Sequence, residues 1–480
     1  MSTREPLRTV LVAQAQLSRF AGSEMVTLEL IEQFVAWGAR VVVATHASTP
    51  PLRPLIDATG GVEVIPVDAL MDPARLDGYH IDLAWIHHGV LPPAILRAAD
   101  SIPVVFNHMS GVHPIEFPIV PEAEADLATL SLFNSRETLE RQRESGLLDR
   151  LDPERIGLFE NPAPDAFLDV PARPVGDALI RIAVVSNHLP DEVREALESL
   201  EGVVEAVYIG ESTPGGSPRR LDPAVLEPFD AVITIGKTVQ YAICASRPVY
   251  CYDWFGGPGW LSAENFDAAR ARNFSGRGFT AREPSRIASE LVDGFVDAHA
   301  FALVAADVHA PEFTLSTRLK EVLGRCAAAP EQQRSVTAET AASIAKLQEF
   351  TATWVRAGSR ASRAADEAAT VERARQALDE QVHALQDDLE AAQAIAARRE
   401  QQVGELEALI TTLRSDLADL AERERRLSAR VAQSEEELAT LRHFRARRSV
   451  RALVAVTRPF VLAGRAVRRV VPSRATQADR

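Results

Sequence analysis

Four stretches of this chain place reactive or ligand-holding side chains where a backbone turn could use them. The first is Ile235-Gly236-Lys237-Thr238, which follows an apolar run. A glycine that lets a ligand approach, an ammonium and the free N–H groups of a helix start together make a phosphate cradle. The spacing is not that of a Walker A loop. The alternative is a plain strand–helix turn with a solvated lysine. Lysine occurs only at positions 237, 320 and 346, and this scarcity weights position 237 toward phosphate. The second stretch is Asp253-Trp254-Phe255-Gly256-Gly257-Pro258-Gly259-Trp260, followed by Asn265 and by Asn273-Phe274-Ser275-Gly276-Arg277. A glycine-rich loop is costly to order unless it binds something. Its aromatic, Asn and Arg side chains suit a sugar or base with phosphate; the alternative is a loop that only packs on a sheet.

The third is a set of histidines after apolar runs: His87 and His88, then His108, with His113 nearby. Imidazoles at strand ends suit hydrogen bonds to sugar hydroxyls or the stabilisation of charge. No pair has ligand spacing on one element, so zinc is a weak reading. Of the four, His108 is expected to be functional, and most of the set to be loop histidines. The fourth stretch is Ala21-Gly22-Ser23-Glu24. A glycine and serine at a helix start can offer backbone N–H groups to an anionic or hydroxylated ligand, or Ser23 can simply cap the helix.

These residues need a scaffold, and the hydrophobic pattern supplies one. Strands are expected at 9–13, 41–45, 62–66, 82–86, 103–107 and 130–134, with helices at 23–37, 91–99, 122–128 and 136–145. Short apolar runs alternating with helices indicate a parallel sheet covered on both faces. A Pro-rich connection spans 161–174, and the alternation then restarts. Strands are expected at 180–186, 206–209, 231–234 and 248–252, with helices at 191–200 and 239–245. The expected fold class is α/β: two doubly wound domains with the carboxyl ends of their strands facing a cleft. Residues 283–326 read as mostly helical and able to fold back on the core.

From Val371 to Leu441 the chain carries heptads, with Leu378, Val382, Leu385, Leu389, Val403, Leu406, Ile410, Leu413, Leu417, Leu420, Leu427, Val431 and Leu438 among the seam positions. A 3.5-residue repeat this long predicts a supercoiled helix and a dimer or trimer, locally weakened by Arg399, Glu424 and Ser434. Residues 442–478 hold ten Arg and no Asp or Glu, interleaved with Val, Leu and Phe. That composition suits an anionic membrane surface, with a disordered basic tail or a nucleic-acid patch as alternatives. The organisation expected is a first α/β domain at 1–165, a second at 166–326, a partly helical linker at 327–370, the coil at 371–441 and the basic tail at 442–480.

The 480 residues suffice for about three domains, and the 46% hydrophobic fraction is that of a folded protein. A formal charge of −15 argues against broad nucleic-acid binding. Cys244, Cys251 and Cys326 have no metal-like spacing and make a poor disulfide framework, which points to a reducing cytoplasm. The polar start, Met1–Arg8, does not read as a signal peptide, and no apolar stretch reaches the ~20 residues of a membrane span. The expected location is cytoplasmic, with a peripheral position at the inner face of the membrane.

Several of these segments, taken in order, resemble the two-domain (GT-B) nucleotide-sugar glycosyltransferases of the family 4 type. The resemblance covers roughly residues 8–325. Ala21-Gly22-Ser23-Glu24 and Trp37-Gly38-Ala39-Arg40-Val41-Val42-Val43 are similar to the family's opening turn and second strand. Ile81-Asp82-Leu83-Ala84-Trp85-Ile86-His87, Pro103-Val104-Val105-Phe106-Asn107-His108 and Phe133-Asn134-Ser135 resemble later strands, the second ending in a functional His. Glu160-Asn161-Pro162-Ala163-Pro164-Asp165-Ala166-Phe167 resembles the linker. Two departures stand out. Ser186-Asn187-His188 replaces the family's diphosphate-holding Arg and Lys, and Tyr241 stands where a Glu would precede Ala.

The resemblance implies transfer of a sugar from a nucleotide-diphosphate donor, with no cofactor and no required metal. It makes His108 and Lys237 the catalytic candidates. Ser186, Asn187, Gly236, Lys237, Thr238, Tyr241, Asp253, Gly256, Gly257 and Arg277 are then the donor-binding candidates, and Gly22, Ser23, Glu24 and His87 the acceptor-binding ones. The acceptor expected is a cell-envelope polysaccharide or a lipid-linked glycan. The competing readings are a transferase-like scaffold that recruits partners through its coil, and a sugar-nucleotide enzyme of another kind, such as an epimerase.

Overall fold

A computed structural model describes residues 7–99, 101–174, 178–210, 218–330, 335–396 and 403–446. The first sheet contains β1 (Thr9–Leu17), β2 (Arg40–Ser48), β3 (Val62–Pro66), β4 (Leu83–His87), β5 (Val104–His108), β6 (Leu130–Phe133) and β7 (Ile156–Leu158). All its neighbours are parallel, in the order β3-β2-β1-β4-β5-β6-β7. Such a sheet needs a helical layer on each face, so its strands are apolar on both sides. Val10, Leu11, Val12 and Ala13 of β1 are accordingly all buried. The connecting helices are α1 (Gly22–Ala36), α2 (Leu52–Thr59), α3 (Pro93–Ala99), α4 (Pro121–Leu127) and α5 (Arg136–Glu144).

The second sheet contains β8 (Arg181–Val185), β9 (Glu205–Ile209), β10 (Ala231–Thr234), β11 (Val249–Asp253) and β12 (Gly256–Trp260), in the order β12-β11-β10-β8-β9. Its helices are α6 (Asp191–Ser199), α7 (Pro223–Leu226), α8 (Lys237–Cys244), α9 (Phe266–Ala271), α10 (Pro284–Asp293), α11 (Phe295–Phe313) and α12 (Leu315–Ala328). β7 and α2 were not expected from the sequence, and the Gly-rich loop departs from the reading given it. The Gly-rich segment is the antiparallel edge strand β12, paired with β11. An edge is the position where a strand tolerates Pro258, because no partner needs its missing N–H.

The chain then returns to where it began. Ala163 and Leu315 exchange backbone bonds across the linker, with Ala163 N–H donating to Phe313 O at 2.7 Å and Leu315 N–H to Ala163 O at 2.8 Å. Leu315, Leu319, Val322 and Cys326 of α12 thereby enter the core of the first sheet, beside Phe34 and Trp85. The carboxyl edges of the two sheets face each other, as Asn187 after β8 reaching Phe20 O after β1 shows. Two doubly wound domains meeting at these edges form the GT-B arrangement.

The described chain forms two compact units, Met1–Ala352 and Thr353–Arg480. The second contains most of α13 (Ala338–Ala396) and all of α14 (Val403–Ala446). Arg375 of α13 and Glu424 of α14 lie 3.5 Å apart although 49 residues separate them. Each is 21 residues from the facing helix end, so the two helices run back along each other. Within one chain, the Arg375–Glu424 contact brings α13 and α14 alongside each other at that point. Leu378, Leu417, Leu427, Val431 and Leu438 on the seam are exposed. Among the described residues no helix is long and apolar enough to cross a membrane. Seam position Arg399 and the basic tail beyond Ala446 lie outside the described residues.

Candidate active site

The lysine expected to hold phosphate has an internal partner. Gly236, at φ 59° and ψ −136°, turns the chain out of β10 so that α8 begins at Lys237. The Lys237 ammonium lies 2.6 Å from Glu29 Oε2 of α1 and donates to Pro162 O at 2.9 Å. It stands 4.9 Å above the Tyr241 ring, whose hydroxyl donates to the other Glu29 oxygen. Both charged groups are buried. Burial pushes Lys237 below the usual ammonium range and Glu29 above the usual carboxylate range, each opposed by the other's charge. The Tyr241 ring is stacked on Phe167 at 4.4 Å, so this cluster is a fixed part of the domain contact.

Two further clasps follow the same polarity. Glu32, one turn along α1, takes both guanidinium nitrogens of Arg220 at 2.6 Å. Glu137 of α5 takes Arg277 Nε at 2.7 and 2.9 Å. In all three, the first domain supplies the carboxylate and the second the cation.

The Gly-rich loop is organised by one carboxylate. Asp253 accepts from Phe255 N–H at 2.8 Å with one oxygen and from Gly276 N–H at 2.9 Å with the other. Glycine is required by close approach. A Cβ on Gly257 would stand 2.1 Å from Cys251 O, and one on Gly276 2.0 Å from Gly256 O. Gly256, at φ 96°, also meets backbone of Thr280. Trp254 and Phe255 at the turn remain 62% and 58% exposed. The loop therefore holds two aromatic faces outward at the carboxyl edge instead of burying them on the sheet.

The histidines separate into distinct environments. His87 is fully buried, and burial pushes it down to about 3. His108 uses both ring nitrogens: Nδ1 lies 2.7 Å from Glu116 O and Nε2 2.9 Å from Glu124 Oε1. Glu124 also accepts from Ser131 Oγ at 2.5 Å, and Phe133 stacks on the ring at 4.9 Å. Burial opposes charge on His108, yet Glu124 and the Glu116 carbonyl hold it above the ordinary imidazole value. His88 Nε2 lies 3.0 Å from Glu116 Oε1, whose second oxygen accepts from Met109 N–H at 2.8 Å. Although burial opposes it, His88 and the Met109 N–H keep Glu116 below the usual carboxylate range.

At the start of α1, Gly22 faces open space, with no atom within 4 Å of where a Cβ would stand. Ser23 does not cap the helix; the N-cap is Ala21. Glu24 closes the β1–α1 loop by accepting from Ser18 and Arg19 N–H, and burial pushes it upward. Ser186 Oγ accepts from His188 N–H at 3.0 Å. Thr238 is half-buried in the first turn of α8. The structure thus brings Lys237 and Tyr241 together with α1, and Asp253, Gly256 and Gly257 together with Gly276. His87 and His108 sit inside the first domain. Glu29, Glu116 and Glu124 were not foreseen. Glu29 had a signal: it lies within Glu24–Ile31, a run of α1 buried at every position, where a carboxylate needs a partner. Among the described residues no group of three His, Cys, Asp or Glu side chains could hold a metal ion.

No protein-family model and no curated protein matches the chain. Solved structures do resemble it. The Anabaena protein HepE, solved with UDP and glucose, is 14% identical, with 67% of this chain and all of that one covered and a TM-score of 0.46. A glycosyltransferase from Rickettsia africae is 11% identical over 67% of this chain and 98% of its own, with a TM-score of 0.45. An α-glucosyltransferase solved with UDP is 12% identical over 67% and 100%, with a TM-score of 0.43. The fold described above is read from strand order and pairing.

Proposed function

We propose that residues 7–330 form a glycosyltransferase that moves a sugar from a nucleotide-diphosphate donor to a glycan or lipid-linked acceptor. One observation carries this reading most strongly. The Asp253 loop spends three tightly placed glycines to hold Trp254 and Phe255 exposed at a carboxyl sheet edge. Open aromatic faces stack bases and sugars, and ligands of doubly wound domains bind at such edges. Gly236 and the first turn of α8 would receive the diphosphate, and the open start of α1 at Gly22 the acceptor. The Arg-rich tail, by composition, supports an anionic membrane surface as partner and therefore a lipid-linked acceptor. The heptads support self-association through α13 and α14.

The buried Lys237–Glu29 pair favours a second reading, a transferase-like scaffold whose donor lysine has become a structural cation. Melting of the full chain with millimolar UDP, GDP or dTDP separates the two. A ligand at ~100 times its dissociation constant adds about 2.7 kcal/mol. A shift with one nucleotide, lost in W254A, supports the transferase and names the base. No shift with any of them supports the scaffold.

A further inference from the structure

Residues 273–277 lie where the ligand-facing edge of the second domain comes together. Gly236 N–H donates to Phe274 O at 3.3 Å, which seats this segment on the turn that starts α8. Gly276 N–H is held by Asp253, the same carboxylate that shapes the Trp254–Phe255 turn. Arg277 follows directly, beside both features. Its guanidinium reaches the opposite domain, to Glu137 in the first turn of α5. Nε lies 2.9 and 2.7 Å from the two carboxylate oxygens, and Nη2 2.6 Å from the second. A guanidinium edge facing two forked oxygens is also the geometry of a bound phosphate.

This clasp differs from the one at Lys237. Lys237 and Glu29 are buried, and Pro162 O and the Tyr241 ring close off the ammonium. The Arg277 and Glu137 side chains are 27% and 16% exposed, so solutes reach them. Glu137 also has a second cation, Arg141 one turn along α5, at 3.2 Å. It can give up Arg277 without becoming an unpaired charge. A diphosphate arriving at Gly236 needs a cation. Lys237 is committed to Glu29, and Ser186 and Asn187 after β8 carry no charge.

We propose, on the transferase reading above, that Glu137 and Arg277 form an exchangeable clasp: in the empty chain the Glu137 carboxylate occupies the fork of Arg277 that takes the donor diphosphate. The incoming diphosphate displaces Glu137, which falls back on Arg141. Arg277 stays with the second domain, because Asp253 fixes the Gly276 N–H beside it. The phosphates gain a bidentate cation, and the domains lose one of the three clasps described above. Donor binding and this domain contact are alternatives at one guanidinium, so each weakens the other by the same factor. The Lys237–Glu29 and Arg220–Glu32 pairs both sit on α1 and are unaffected. The cleft therefore loosens on the α5 side alone.

The test uses the full chain, with UDP, GDP and dTDP titrated by calorimetry and the matching nucleosides and inorganic pyrophosphate as further ligands. For the nucleotide that binds, R277Q should lower affinity about 10- to 100-fold and leave the nucleoside's within about twofold. R277K keeps the charge without the fork and should fall between R277Q and wild type. E137Q should raise affinity about three- to fivefold, because the competing carboxylate is gone. A glutamate that only holds the domains together would leave affinity unchanged or reduce it. Should R277Q fail to fold, R277K and E137Q decide the matter. A crystal structure with the nucleotide should show Arg277 on phosphate oxygens and Glu137 on Arg141. Equal weakening of nucleoside and nucleotide in R277Q, no tightening in E137Q, or Glu137 still in the fork beside bound nucleotide overturns the clasp and leaves the transferase reading standing. A wild-type chain that binds pyrophosphate but none of the nucleotides, or binds none of these ligands, overturns both.

Discussion

Replacing Lys237 by Met tests whether the domain contact depends on its buried charge pair. Both partners are more than nine-tenths buried and 2.6 Å apart. Removing one partner of such a pair costs about 3–5 kcal/mol, because the other charge stays buried without compensation. Glu29 would keep the Tyr241 hydroxyl and some attraction to Arg220, which places K237M at the lower end, about 3 kcal/mol. E29Q should cost a similar amount, since Lys237 would keep only Pro162 O and the face of Tyr241. The double variant K237M/E29Q should lie within about 1 kcal/mol of wild type, because two neutral side chains of similar volume replace two charges. For domains of this size, 3 kcal/mol is roughly 6–12 °C in melting temperature. Differential scanning calorimetry of the four proteins reads the cycle. Additive single effects, or single effects within about 0.5 kcal/mol of zero, refute a coupled buried pair. The same variants bear on function. If Lys237 also serves a diphosphate, E29Q raises UDP affinity while K237M lowers it.

Other outcomes follow from single observations. W254A should leave stability within about 0.5 kcal/mol, since the ring is 62% exposed. It should weaken nucleotide binding by about 1–3 kcal/mol, as read by calorimetric titration. His87 protonates at about 3 in the folded chain but at about 6.5 when unfolded. The stability of its neutral form is full above pH ~6.5 and declines as pH falls from there to about 3, by up to about 4–5 kcal/mol. H87L should flatten that acid limb in urea titrations at stepped pH; an unchanged limb refutes it. In the antiparallel register that Arg375 and Glu424 define, Leu378 falls opposite position 421, one residue from Leu420. The pair L378C/L420C should therefore oxidise within one chain. Interchain cross-linking of L378C alone would instead indicate a parallel dimer.

The sheets were legible because each buried strand has to be apolar at successive positions. Val10–Ala13, Val41–Ala44 and Ala231–Thr234 fall where those runs stand in the sequence. β12 was not legible, because Gly256-Gly257-Pro258-Gly259 carries no strand signal of its own. Its pairing depends on β11 offering an edge and on the backbone of Cys251 approaching too closely for any side chain. The direction of the coil was equally hidden. A heptad repeat reports a seam but not what lies across it, and the position that reveals the turn is polar. Glu424, considered alone, weakens a coil seam, and Arg375 is a charged seam position too. Opposite one another they form an ion pair, which places α13 and α14 side by side there.

Function was less legible than fold for a related reason. The sequence showed that Lys237 stands at a sheet edge, where a cation suits a phosphate. It could not show what α1 places opposite, because Glu29 is 208 positions earlier and reads there as one acidic residue in a helix. The same holds for the histidines. His88 and His108 look equivalent as residues ending apolar runs, and only their partners distinguish them. Glu124 and the Glu116 carbonyl take both nitrogens of His108, whereas Glu116 takes one nitrogen of His88. Position at the end of a strand does not separate the two rings; the groups that the fold sets against each nitrogen do.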